Sequence, residues 1–193
     1  MKFHRLLFSA LLIAALTVSG CSPQESAPAA GSVKREVSMA TVSAQAKGFA
    51  VGALMSTNIV YVFFDPQCPH CGHLWQASAP LHKNVKFVWI PVRMINATSL
   101  AQGAAILSAA NPGALMTEHE ASLLAGRGGI SAASSISSEI EQAINSNTRM
   151  LNSFGAESVP FVVAKNQKTG QTVSREGALT TADLAGFLGL DLP

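Results

Sequence analysis

At 193 residues, with 48% hydrophobic and 12% charged side chains, the chain has enough apolar material for one ordinary globular core and lacks the charge-rich composition of a disordered protein. Its charge is close to balanced, 13 Lys and Arg against 11 Asp and Glu, and removal of Lys2 and Arg5 with a leader would make it neutral. That excludes the basic footprint expected of a nucleic-acid-binding protein.

Lys2, His4 and Arg5 precede an apolar run over residues 6–18 that is too short to span a bilayer comfortably, so residues 1–20 read as an export signal. The run ends in "VSGC", where small residues lead into Cys21, and this resembles the cleavage and lipidation box of bacterial lipoproteins. Cys21 would become the acylated N-terminus; the alternative is an ordinary signal with a spare thiol. Ser22, not Asp, comes next, which under the enterobacterial sorting rule directs onward transport to the outer membrane. Several acyl chains on Cys21 would hold the protein on a membrane surface without a spanning helix. Residues 21–36, with "SPQESAPAAGS", have the composition of a flexible tether, leaving residues 37–193 for the folded domain.

Residues 37–57 read as mixed helix and strand. From 58 to 64, "NIVYVFF" is a continuous apolar run rich in β-branched and aromatic residues, as expected of a strand buried on both faces. Asp65 and Pro66 stop it. Pro69 suits a first helical turn, and "HCGHLWQASAP" predicts a short helix ending before Pro80, with Cys71, Leu74, Trp75 and Ser78 on one face. A second strand follows over 85–92, and strand, helix, strand opens a parallel α/β unit. Residues 99–110, 112–124 and 137–154 have helical composition, with "GRGGISAASS" as a loop. In the third helix Ile140, Ile144, Asn147 and Leu151 share a face and Gly155 supplies the stop. "PFVVAK", a turn at "NQKTG", "QTVSREG" and a helix over 180–188 then complete an α/β layered domain around a helical insertion at about 99–154.

If lipid takes Cys21, only Cys68 and Cys71 of the three cysteines remain, and they can pair with each other, with a metal or with another molecule's sulfur. A disulfide across so short a loop restricts the unfolded chain little, so a purely structural bond gains little. Disulfide exchange needs one ionised thiol, and a helix start supplies the N–H groups and dipole that favour its charge. Cys68, at that start, is the candidate nucleophile; Cys71, one turn in, is the candidate resolving thiol. His70, cationic or donating a hydrogen bond, would stabilise the Cys68 thiolate. A c-type haem site wants His directly after the second Cys, but residue 72 is Gly. No His or Cys pair repeats at zinc-finger spacing among His70, His73, His82 and His119. A Cu(I) carrier using both thiolates with Met55, Met94 or Met116 stays open. Asp65 is either a proton-transfer acid near Cys71 or a turn former. Trp75 and Phe64 read as core.

These residues resemble a family, the periplasmic Dsb thiol-disulfide oxidoreductases of the thioredoxin fold, and within them the DsbG and DsbC catalytic domain. The anchors are "YVFFDPQCPHCGHLW", "AAILSAANP" and "LNSFGAESVPFVV", and the resemblance covers about residues 58–190. It implies that Pro160 is a cis-proline facing the dithiol and aligning the substrate backbone, with Val159 and Phe161 lining the substrate groove. "CPHC" and "VP" are the DsbA pairings, whereas DsbG and DsbC proteins carry Tyr or Gly between the cysteines and Thr before the proline. The short stretch before residue 58 leaves no room for the family's dimerisation domain, so a monomer is expected.

The expected protein is an α/β, thioredoxin-like, lipid-anchored periplasmic enzyme that needs no cofactor. It would pass its disulfide to cysteine-containing or unfolded exported proteins and be reset by a membrane redox partner. The same residues running in reverse would reduce or reshuffle disulfides or rescue sulfenylated cysteines. Outside enzymes, the alternatives are the Cu(I) chaperone and a lipoprotein scaffold with an inert disulfide.

Overall fold

The computed structural model describes residues 36–191. The proposed signal, the acylation site Cys21 and all but the last residue of the tether lie outside them. Among the described residues no helix is long and apolar enough to cross a membrane.

In chain order the elements are α1 (Met39–Gln45), β1 (Phe49–Gly52), β2 (Ile59–Phe64), α2 (Pro69–Ser78), a 3-10 turn (Ala79–Lys83) and β3 (Lys86–Pro91). The helices α3 (Ala97–Ser108), α4 (Pro112–Leu124) and α5 (Ser138–Ser153) follow, then β4 (Phe161–Lys165), β5 (Thr172–Glu176) and α6 (Thr181–Leu188). The mixed helix and strand expected over residues 37–57 are α1 and β1. α2 ends at Ser78, before Pro80 as expected, and a tighter 3-10 turn then carries the chain through the proline.

The five strands form one sheet in the order β1-β3-β2-β4-β5. β2 and β3 are parallel, with Val62 opposite Trp89, while β1 on β3, β4 on β2 and β5 on β4 run antiparallel. β2 is central, paired on both sides and buried at five of its six positions, which is why its sequence is apolar without alternation. Adjacent residues point to opposite faces. Phe64 meets Trp89 and Phe49 on the side where Trp75 of α2 packs; Phe63 meets Phe154 and Phe161 on the other.

The helices of the insertion start on local signals. Asn96 and Ser99 make a capping box for α3, Asn111 with Pro112 opens α4, and Ser137 caps α5, whose first turn carries Glu139 and Glu141. α5 ends at Phe154, and Gly155 follows at φ +70°, the left-handed stop that glycine adopts without strain.

One residue on the apolar face of α5 is polar for a reason visible only in three dimensions. Asn147, fully buried, accepts from the Lys47 N–H (3.0 Å) and donates to the carbonyls of Lys47 (2.8 Å) and Pro91 (3.0 Å). It ties the insertion to the entry of β1 and the exit of β3. Asn147→Leu leaves three backbone groups unpaired, so a loss of about 3 kcal/mol is expected at roughly 1 kcal/mol per group. Urea unfolding checks it, as a lower midpoint with an unchanged slope.

Candidate active site

β2 delivers the chain to the site and Asp65 turns it. The carbonyl of Asp65 accepts from the Cys68 N–H at 2.9 Å, placing Cys68 in extended backbone (φ −99°, ψ 108°) as the N-cap of α2, with Pro69 in the first turn. The Cys68 carbonyl accepts from the Cys71 N–H (2.9 Å), and as the N-cap residue Cys68 sits at the N-terminus of α2, where the helix dipole favours negative charge. Both cysteines are free thiols.

The two sulfurs are driven apart in acidity. The Cys68 thiol is lowered from its ordinary 9.0 to about 7, first by a hydrogen bond from the Cys71 thiol; burial opposes this, the backbone N–H groups of Cys71 and His70 add to it, and the Asp65 charge works against it. Cys71 is raised well above the ordinary value by burial, by its bond to the Cys68 sulfur and by the charges of Cys68 and Glu120, against a smaller lowering by the Asp65 main chain. Near pH 7 Cys68 is therefore about half thiolate, whereas Cys71 stays a thiol. Cys68 is less open than a freely exposed nucleophile, at 4% exposure against 0% for Cys71. Its access is a cavity of about 270 Å³ that it lines with Met94, Ile95, Glu157, Ser158 and Val159. A larger cavity, about 880 Å³ around Leu54, Met55 and Leu190, includes neither cysteine.

The remaining expected residues fall into place unevenly. The Val159–Pro160 peptide bond is cis, and the Val159 carbonyl accepts from the Cys68 thiol at 3.3 Å. His70 is exposed, and its influence on Cys68 comes from its backbone N–H. Asp65 is fully buried with both oxygens committed: Oδ1 accepts from Gln67 N–H (2.8 Å), Oδ2 from Met94 (2.6 Å) and Ile95 (3.0 Å), the geometry of a turn former. Phe161 requires correction as a groove residue. It sits two positions along from Val159, inside β4, and its 5%-exposed ring packs between Phe63 and Phe154 in the core. Trp75 and Phe64 are core, as expected. Of the methionines considered as ligands, Met116 is buried away and Met55 is exposed, leaving Met94 beside Cys68.

Four residues take their place around the site only in the tertiary structure. His119 is fully buried on α4; Ile130 N–H donates to its Nδ1 (3.2 Å), so Nε2 carries the proton and donates to the Pro66 carbonyl (2.6 Å), and burial keeps the ring neutral. Gln67 and Gln102 bond each other and both donate to the Gly128 carbonyl, fastening the turn before Cys68 to the insertion's loop. Glu120, next to His119, is 1% exposed and neither oxygen has a hydrogen-bond partner. A signal was present: His119 and Glu120 lie three and four residues after Met116, a polar pair on the helix's apolar face.

Fold and site together define a thioredoxin-like α/β domain carrying a Cys-Pro-His-Cys dithiol at a helix N-terminus, opposite a cis-proline. No protein-family model matches the chain. It is similar to the thiol:disulfide interchange protein DsbG of Pseudomonas aeruginosa, at 28% identity over 147 residues, 75% of this chain and 56% of that protein. It is similar also to DsbG of Escherichia coli K12, at 31% over 106 residues, 54% of this chain and 42% of that protein. The chain thus spans about half the length of these curated relatives. A periplasmic thioredoxin-like protein from Salmonella enterica superposes with a TM-score of 0.64 over 80% of this chain and 97% of that one, at 14% identity, a likeness of fold.

Proposed function

We propose that the protein is a thiol-disulfide oxidoreductase that passes a Cys68–Cys71 disulfide to substrate thiols, with the opposed acidities of the two sulfurs as the observation that carries the reading. A substrate thiolate attacks the Cys68 sulfur; the Cys68–Cys71 bond breaks and its electron pair leaves on Cys71, which takes up a proton. A second substrate thiolate then attacks the mixed disulfide and expels Cys68 as a thiolate, so the substrate is oxidised by two electrons and the dithiol reduced. A stabilised Cys68 thiolate is a good leaving group, which favours oxidation. Val159 lines the cavity where the substrate segment would align, with the cis Pro160 next to it in the chain; His70 assists through its backbone N–H, and Asp65 holds the turn. Export, anchoring through an acylated Cys21 on the outer membrane, cysteine-containing exported proteins as substrates and a membrane redox partner complete the proposal. They rest on the leader, the "VSGC" box and the likeness to DsbG.

The reverse direction, reduction or reshuffling of disulfides or rescue of sulfenylated cysteines, draws support from the Cys68 value of about 7, the thioredoxin level rather than the about 3.5 of DsbA. One experiment separates them: the equilibrium potential of the Cys68–Cys71 couple, read by Trp75 and Trp89 fluorescence in glutathione buffers, with Cys68 alkylation followed against pH. A potential nearer about −120 mV than about −270 mV is expected, with alkylation rising with pH through an inflection near 7. A potential at the thioredoxin end makes the protein a reductant. An inert couple that instead binds Cu(I) stoichiometrically, with Met94 beside Cys68, makes it a metal carrier.

A further inference from the structure

The end of the sheet opposite the dithiol carries Leu54 and Met55, the two most exposed large apolar side chains among the described residues. The strand registers fix which segments gather there. Gly52 and Ile59 both lie opposite Lys86, Val60 lies opposite Ala164, and Gln167 N–H donates to the Leu188 carbonyl at the end of α6. Residues 53–58, 79–86, 165–171 and 189–191 therefore share one end, and Phe64 leads to Cys68 at the other.

Residues 53–58 form a turn whose polar groups are paired inward. Ala53 N–H donates to the Val85 carbonyl (3.0 Å), Ser56 N–H to the Ala53 carbonyl (2.8 Å), the Ser56 hydroxyl to the Asn84 carbonyl (2.7 Å) and Asn58 N–H to the Ser56 oxygen (3.0 Å). Gly52 enters the turn at φ +85°, where an added Cβ would lie 2.4 Å from the Val85 carbonyl oxygen. The base is thus tied down, while the tip stands in solvent, Leu54 at 57% and Met55 at 95% exposure. With Leu81 and Leu190 these side chains line an open cavity of about 880 Å³, and apolar residues grouped in this way mark a contact surface.

The charges around the tip choose the partner. Lys83, Lys86, Lys165 and Lys168 lie in the same segments, against a single carboxylate, Asp191, which Lys168 holds at 3.3 Å. An apolar tip ringed by lysines suits a surface that is negative outside and apolar just beneath, the headgroup layer of an anionic membrane. A second copy of this end would set lysines against lysines.

We infer that this end is a membrane-docking face: Leu54 and Met55 enter the headgroup layer of anionic phospholipid, and the surrounding lysines lie over its phosphates. β2, six residues long, then holds the dithiol about 20 Å above the lipid, with Cys68 facing away from it. The docking goes beyond anchoring through Cys21 and does not need it. An acyl chain confines a protein near the surface, whereas this end sets which way it faces.

The test uses the chain from Cys21 onward, made without acylation, and vesicles of phosphatidylcholine with or without phosphatidylglycerol. Cosedimentation is expected with the anionic vesicles, about tenfold weaker with phosphatidylcholine alone, and falling as salt rises. Met55→Trp puts a reporter at the tip against Trp75 and Trp89, which are buried. Its emission is expected to shift to shorter wavelength on the anionic vesicles and to be quenched by brominated acyl chains. Met55→Glu, and Lys83→Glu combined with Lys165→Glu, are each expected to weaken binding about tenfold, whereas Lys47→Glu, at the other end of β1, leaves it unchanged. No binding, equal binding to neutral and anionic vesicles, an unshifted Met55→Trp emission on bound vesicles, or an equal loss in Lys47→Glu overturns the inference. So does a dimer in sedimentation that Met55→Glu dissociates, which would assign the face to a second copy. Because the chain tested carries no acyl group, these outcomes are independent of whether Cys21 is lipidated and of the exchange chemistry.

Discussion

Replacing Cys68 with serine is expected to abolish disulfide transfer, a fall of more than about ten-thousandfold that leaves only the uncatalysed background, because the other described thiol, Cys71, is fully buried and held protonated. Cys71→Ala is expected to behave differently. Cys68 stays to attack substrate disulfides, but Cys71 no longer resolves the mixed disulfide from within the protein, so mixed disulfides accumulate as a shifted band on a non-reducing gel. The same change removes the hydrogen bond that does most to lower the Cys68 thiol from 9.0 to about 7. At pH 7 its thiolate fraction should then fall from about half toward a few per cent, and alkylation of Cys68 should slow on the order of tenfold. The sign matters: the wild-type rate levels off above pH 7, whereas the Cys71→Ala rate should go on rising toward pH 9. An unchanged alkylation profile would remove Cys71 as the source of the asymmetry.

Asp65→Ala is expected to cost about 4 kcal/mol or more. The carboxylate is fully buried and accepts three backbone N–H bonds, from Gln67, Met94 and Ile95, and bonds to a charged acceptor contribute about 1.5–3 kcal/mol each. The damage falls on the site itself, because Gln67 N–H fixes the turn into Cys68 and Met94 and Ile95 line its cavity. Asp65→Asn keeps an acceptor oxygen and should lose only part of this stability. It also removes a negative charge that raises the Cys68 thiol, so the inflection of Cys68 alkylation should move below that of the wild type. Urea unfolding and pH-dependent alkylation of the same two variants separate the turn-forming role from the electrostatic one. An Asp65→Ala protein as stable as the wild type would show that the three N–H groups find other partners.

The sequence by itself determined most of the local structure around the dithiol. An unbroken apolar run over Ile59–Phe64 has one comfortable solution, a strand covered on both faces. Pro69 after Cys68 starts a helix with Cys68 at its cap, and a thiol at that position meets unpaired N–H groups whatever surrounds it. The ends of α5 and α6 were equally local, since Gly155 and Gly189 take up positive φ where their helices stop. Tertiary structure alone decided which side chains meet. Phe161 follows Pro160 closely enough to suggest the groove, but it opens β4 opposite Phe63 of β2, and that pairing puts its ring in the core with Phe63 and Phe154. Asn147 sits among apolar neighbours on α5, and only the docking of α5 beside Lys47 and Pro91 gives it three partners. Glu120 lies against Gly72 because α4 packs on α2 there, an approach set by the bulk of residues on two helices. Periodicity records which face of an element is buried, because burial is a property of one element against solvent; it cannot record what lies across the interface, because that depends on how two elements pack.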